Sequence, residues 1–79
     1  MKLTQELTMK LAAAAADSYH LVYSGGDLAA IHAAAVDHTI SGIVAVFGIE
    51  IDDGLRETVE RHVDFKLDEL EVKRKRKRA

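Results

Sequence analysis

The sequence predicts an all-α fold: a small three-helix bundle, completed by pairing with a second copy of the chain and followed by a disordered basic tail. Apolar residues recur at helical spacing in three segments, and two short breaks rich in glycine and aspartate separate them. Of the 38 apolar residues, 12 are alanine, so only 26 larger side chains can build a core. A lone chain of this length buries only about 60% of its unfolded surface. We therefore expect a homodimer, with residues 1–72 as one helical domain and residues 73–79 as a polybasic tail.

The first segment, residues 4–23, has the pattern of a helix covered on most sides. Its polar strip is narrow and holds Glu6, Lys10, Ala13, Asp17, His20 and Ser24. Larger apolar side chains and alanines occupy the rest of the circumference. The alanine run at residues 12–16 would let another helix approach closely, so we expect this segment to contact more than one neighbour.

The second segment follows the turn at residues 24–27, where Asp27 can cap a new helix. Apolar residues at helical spacing favour one helix over residues 28–47, with Gly48 at its end. A strand near residues 43–51 is the alternative, because β-branched residues are frequent there and Gly42 weakens a helix by about 1 kcal/mol relative to alanine. A lone strand has no partner within one chain, so we favour the helix.

The third segment, residues 53–72, is strongly amphipathic, with Asp52 or Asp53 as its cap. Its apolar face carries Leu55, Val59, Val63, Leu67 and Leu70. The opposite face carries the carboxylates Glu57, Glu60, Asp64, Asp68 and Glu71, with Arg61 and Phe65 beside them.

Charge divides the chain into an acidic body and a basic end. Residues 1–72 hold five basic and 13 acidic residues, a net charge of −8. Six consecutive cations follow: Lys73, Arg74, Lys75, Arg76, Lys77 and Arg78. Such a run binds phosphates without reading base sequence, because its contacts release counterions. The leading interpretation is a non-enzymatic regulatory or adaptor protein that self-associates through its alanine-rich helices and binds nucleic acid through these six residues.

The acidic face of the third helix supports an alternative function. An inhibitor or interaction module could use Glu57, Glu60, Arg61, Asp64, Phe65, Asp68 and Glu71 to occupy a basic site on another protein. Deleting residues 73–79 separates the two interpretations, because only the first depends on the tail.

Enzymatic and metal chemistry find no support in the sequence. The chain lacks cysteine, none of its serines lies in a nucleophile motif, and none of its four histidines has another at a spacing of three or four. We expect no cofactor, no metal site and no enzymatic activity. We also expect no membrane span and a cytoplasmic location, since charged and polar residues interrupt the N-terminal apolar run.

Overall fold

The computed structural model describes residues 2–23 and 25–78, with side chains as far as Arg76, and within them the chain forms three helices. These are α1 (Gln5–Val22), α2 (Leu28–Phe47) and α3 (Asp53–Arg78). No strand occurs in the described residues. The all-α bundle is therefore confirmed, and the alternative of a strand near residues 43–51 is wrong, since α2 continues through Phe47.

The ends of the helices are set by side chains that the sequence supplies at the two breaks. The hydroxyl of Thr4 and the carboxylates of Asp27 and Asp52 accept hydrogen bonds from backbone N–H groups in the first turns of α1, α2 and α3. Gly48 ends α2 with a φ of 63°, in the left-handed region that glycine adopts without strain. Ser24, assigned by the sequence to the first break, lies outside the described residues.

The core lies where the three helices meet, and the spacing of its members explains the bundle. α3 contributes one line of side chains four residues apart, while α1 contributes mainly alanines. The small alanine side chains let α1 pack closely against both α2 and α3. The buried apolar residues are Ala12, Ala15, Ala16, Ile31, Ala35, Val36, Ile40, Ile43, Val59, Val63 and Leu67.

The larger apolar side chains of α1 are not buried as the sequence analysis expected. Leu11, Leu21 and Val22 are exposed, whereas the buried residues of α1 are Thr8, Ala12, Ala15 and Ala16. His20, predicted to lie on the polar strip at the edge of the buried surface, is largely buried against α3. The face with the buried alanines packs against α2 and α3 because small side chains let the helix backbones approach closely. The longer side chains of α1 therefore lie outside the core.

The tail requires a correction, because residues 73–78 form no disordered segment: α3 continues without a break through Arg78. Lysine and arginine are good helix formers, and cations are favourable near the C-terminal end of the helix dipole. Lys73 pairs with Glu69 and Arg74 with Glu71, each at 3.6 Å, which fastens the first basic residues to the preceding turn. Ala79 lies outside the described residues.

Substitution of Gly48 tests the structural end of α2. We expect Gly48→Ala to lower the free energy of unfolding by about 1 kcal/mol, since an alanine side chain is strained in the left-handed conformation. Gly48→Asn should cost less, because asparagine tolerates that conformation. Urea denaturation at one fixed protein concentration measures both, and equal losses from the two variants would contradict the assignment. Steric crowding cannot cause the loss, because an added Cβ at Gly48 meets open space.

Candidate interaction surfaces

A long apolar groove runs between α1 and α2, on the side of the bundle away from α3. It has a volume of about 640 Å³, and every residue that lines it belongs to α1 or α2. No Asp, Glu, Lys or Arg side chain is among them. The lining residues are Leu7, Leu11, Ala14, Ala15, Ser18, Tyr19, His38, Thr39, Gly42, Ile43, Val46 and Phe47.

The groove is open because small residues line it between larger ones. A Cβ added at Gly42 would meet no atom within 4 Å. Val46, from the following turn, is 73% exposed, and Leu11 across the groove is exposed as well. The surface is therefore a trough with apolar rims, which is a shape that accepts a helix or a matching apolar ridge.

One end of the groove is aromatic and polar. The ring of Tyr19 stacks on Tyr23 at 6.1 Å between centroids and meets the ring of His38 edge-on at 5.8 Å. Ser18 adds a hydroxyl nearby. Aromatic contacts of this geometry add about 0.5–1.5 kcal/mol beyond the area that they bury, and the contact between Tyr19 and His38 joins the last turn of α1 to the middle of α2.

The basic residues assigned to nucleic-acid binding fall into two groups. Lys73 and Arg74 are engaged with Glu69 and Glu71 of the preceding turn. Lys75 and Arg76 are exposed, and within the described side chains they form no ion pair. Lys77 and Arg78 are described as helix backbone, and their side chains lie outside the described part.

A hydrogen bond between side chains fastens the C-terminal part of α3 to the end of α1. Nε2 of His20 lies 2.7 Å from a carboxylate oxygen of Glu71, and both side chains are largely buried. The hydrogen bond from His20 holds the pKa of the Glu71 carboxyl below its ordinary value, helped by the charge of Arg74 and opposed by partial desolvation. The two residues are 51 positions apart, so no spacing rule in the sequence could pair them.

The acidic face of α3 is solvated over most of its length. Glu57, Glu60, Asp64 and Asp68 are exposed, as predicted from the amphipathic pattern. Arg61 pairs with Glu57 at 3.6 Å along the helix surface. Glu71 departs from the row, because its carboxylate is held by His20 and Arg74.

Phe65 lies on a different flank of α3 from the acids assigned to the same site. It is 72% exposed and lines a small hollow with Met9 and Ala13 of α1. Asp64 and Asp68 line another hollow, on the side of α2. The structure therefore does not gather the predicted partner site around one aromatic anchor, and the inhibitor function stays a prediction.

The described residues contain no candidate metal cluster and one strongly apolar helix. No group of three or more His, Asp or Glu side chains there is placed to hold a metal ion. One helix, α2, is long and apolar enough to cross a membrane by length and composition alone, and 28% of its most apolar window is buried in the bundle. Core helices of water-soluble proteins share this composition.

The pair between His20 and Glu71 predicts a pH-dependent contribution to stability. Glu71 has a lowered pKa in the folded chain, so its contribution is present above the ordinary carboxyl value of 4.5 and is lost as pH falls through the folded value. We expect Glu71→Gln to lower the unfolding midpoint in urea at pH 7 and to lower it less at pH 3. Glu57→Gln, which breaks only an exposed pair, is the control. An equal loss for Glu71→Gln at both pH values would contradict the assignment.

Comparison of the chain with protein families, with curated proteins and with solved structures finds no significant match. The groove, the basic residues 73–78 and the hydrogen bond between His20 and Glu71 that positions them are therefore the features on which a function can be argued.

Proposed function

We propose that this chain is a small non-enzymatic adaptor or regulatory protein that pairs with a second copy through the α1–α2 groove and attaches to a phosphate-bearing polyanion through residues 73–78. The observation that carries self-association is the distribution of large apolar side chains. Among the described residues, seven of them are buried and 11 are exposed. The single chain thus exposes more large apolar side chains than it buries. A second copy would cover part of the exposed ones.

Charge favours the groove as the surface where two copies meet. The body carries a net charge of −8 over residues 1–72, so most approaches between two copies are repulsive. No acid of α3 lines the groove, and Asp37 is the one Asp, Glu, Lys or Arg residue of α2. Glu6, Asp17 and Asp37 of α1 and α2 lie outside the groove lining, so the groove is where two acidic bodies can approach with the least repulsion.

The shape of the groove also supports pairing of identical surfaces. A two-fold pair places the same patch of both copies in contact, so the patch must contain both a ridge and a trough. Val46 and Leu11 supply the ridges, and Gly42 with Ala14 supplies the trough. Helices with small residues at such positions pack closely, as the alanine face of α1 already does within the chain.

The helical state of residues 73–78 supports the proposed attachment to a polyanion. Lys75 and Arg76 are exposed beyond the last acidic residue of the chain, Glu71. Ordered cations at the end of a helix lose less conformational entropy on binding than cations in a disordered tail. Nucleic acid is the polyanion that the basic run predicts from sequence.

A lysine in the groove tests self-association. We expect the wild-type chain to sediment at twice its 8.7 kDa mass and Val46→Lys to sediment as a monomer, because an unpaired charge would be buried at the interface. A cost of about 2 kcal/mol weakens pairing roughly 30-fold. Val44→Lys is the matched control, since Val44 is exposed on the same helix outside the groove. Sedimentation equilibrium over a concentration series measures all three proteins.

Two outcomes would refute this interface. One is a wild-type chain that stays monomeric at about 100 μM, which is roughly 100 times the Kd of a micromolar dimer. The other is a loss of pairing in Val44→Lys with pairing retained in Val46→Lys, which would place the interface on another face of α2.

A further inference from the structure

The last turn of α1 and the final turns of α3 lie together at one end of the bundle. The contact between His20 and Glu71 brings these two turns to the same level. Past this contact, a Cβ built on Gly25 would lie 3.6 Å from the guanidinium of Arg74, so α3 also passes beside the α1–α2 connection. We call this region the basic end; it consists of residues 21–23, Gly25 and residues 72–78.

Four large apolar side chains of the basic end are exposed. Leu21 is 79%, Val22 71%, Tyr23 56% and Val72 51% exposed. None of the four lines the α1–α2 groove, so pairing of two copies there does not require them to be covered. Isolated apolar residues on a surface are ordinary, but four exposed ones at one end of so small a protein are a local excess, which we call the apolar cluster and which needs an explanation.

Cations extend past this cluster. Each helical residue rises 1.5 Å, so residues 75–78 extend α3 about 6 Å beyond Arg74. No acid follows Glu71 in the chain, and Glu71 is itself engaged by His20 and Arg74. Asp27, the exposed cap of α2, is the acidic group nearest in sequence to Gly25. The basic end is thus cationic and apolar, while the acids of α3 lie along the body.

We propose that the basic end docks on the surface of an anionic lipid bilayer. This inference rests on the proposed attachment of residues 73–78 to a polyanion and names the partner. Clusters of lysine and arginine are attracted to anionic headgroups, and neighbouring apolar side chains can enter the boundary between headgroups and acyl chains. Leu21 and Val22 gain nothing comparable from nucleic-acid phosphates, which offer no apolar region to receive them.

The shape of the molecule fits end-on docking. The bundle is 44 Å long and about 20 Å across, and its acids are distributed along the body. A bundle that meets the surface with its basic end keeps most carboxylates farther from the lipid than a Debye length of about 8 Å, so their repulsion is largely screened. Stable attachment of a peripheral protein takes two signals, and the basic end combines charge with apolar side chains.

Vesicle co-sedimentation of the full-length chain tests the proposal. The probes are phosphatidylcholine vesicles with and without about 30% phosphatidylserine, at physiological salt. We expect binding to the anionic vesicles alone. Lys75→Gln with Arg76→Gln should weaken it about 30-fold, since each surface cation contributes about a factor of five. Leu21→Ser with Val22→Ser should weaken it at least fivefold.

A matched control and a second ligand make the outcome specific. Val44→Ser with Ile49→Ser removes two exposed apolar side chains outside the basic end and should bind like the wild type. Circular dichroism of every variant verifies the helices. Fluorescence anisotropy with a mixed-sequence DNA duplex and a single-stranded RNA measures nucleic-acid binding in the same buffer.

Each of the other possible results contradicts either lipid docking or the attachment of the basic end to a polyanion. Absence of binding to anionic vesicles, or equal binding by the Leu21→Ser/Val22→Ser variant, overturns lipid docking. If nucleic acid binds, and Lys75→Gln with Arg76→Gln abolishes that binding while vesicles remain unbound, polyanion attachment stands and the lipid surface is the wrong partner. If neither vesicles nor nucleic acid bind, attachment through the basic end is itself wrong.

Discussion

Close packing of α1 through its alanines is the constraint on which the rest of the structure depends. Ala12, Ala15 and Ala16 bring the backbone of α1 against both other helices. A helix that packs through alanines leaves its leucines and valines directed elsewhere. The rims of the groove and the apolar cluster at the basic end both include α1 side chains excluded from the core in this way.

A small core and a large exposed apolar surface are therefore two results of one arrangement. The largest fully buried side chains are Ile43, Val59, Val63 and Thr8, which is little apolar volume for three helices. The buried hydroxyls of Thr8 and Thr39 each donate a hydrogen bond to a carbonyl one turn earlier. Their burial therefore costs little, but these side chains add little apolar area to the core. The proposed pairing through the groove would add buried apolar area that this core lacks.

Local patterns in the sequence were sufficient for the three helices and for their ends, except the C-terminal end of α3, which lies at Arg78 and not at residue 72. The caps at Thr4, Asp27 and Asp52 and the glycine at position 48 follow from side-chain chemistry within four residues, so they could be predicted. The apolar line of α3 has one periodicity and was predicted correctly. Amphipathic spacing failed for α1, because an alanine-rich helix has two faces that can be buried, and only tertiary packing chooses between them.

The candidate surfaces were less accessible to sequence reasoning. Residues 73–78 were found because a run of cations is visible without a fold, but their helical state depends partly on Glu69 and Glu71 in the preceding turn. The groove joins residues of two helices, so neither helix alone shows it. Lack of charge along α2, where Asp37 is the one Asp, Glu, Lys or Arg residue, was the signal that could have indicated it.

The unbroken course of α3 has a geometric consequence for any assembly. Because the same 26-residue helix packs in the core and carries the terminal cations, no hinge separates the two, and each bundle is oriented by whatever holds its tip. If two copies pair about a two-fold axis parallel to the bundles, the C-terminal ends, or tips, of both α3 helices face the same side. Both tips can then bind a single surface with the avidity of two linked contacts. With the axis perpendicular to the bundles, the tips face opposite sides, and the pair becomes a bridge between two surfaces.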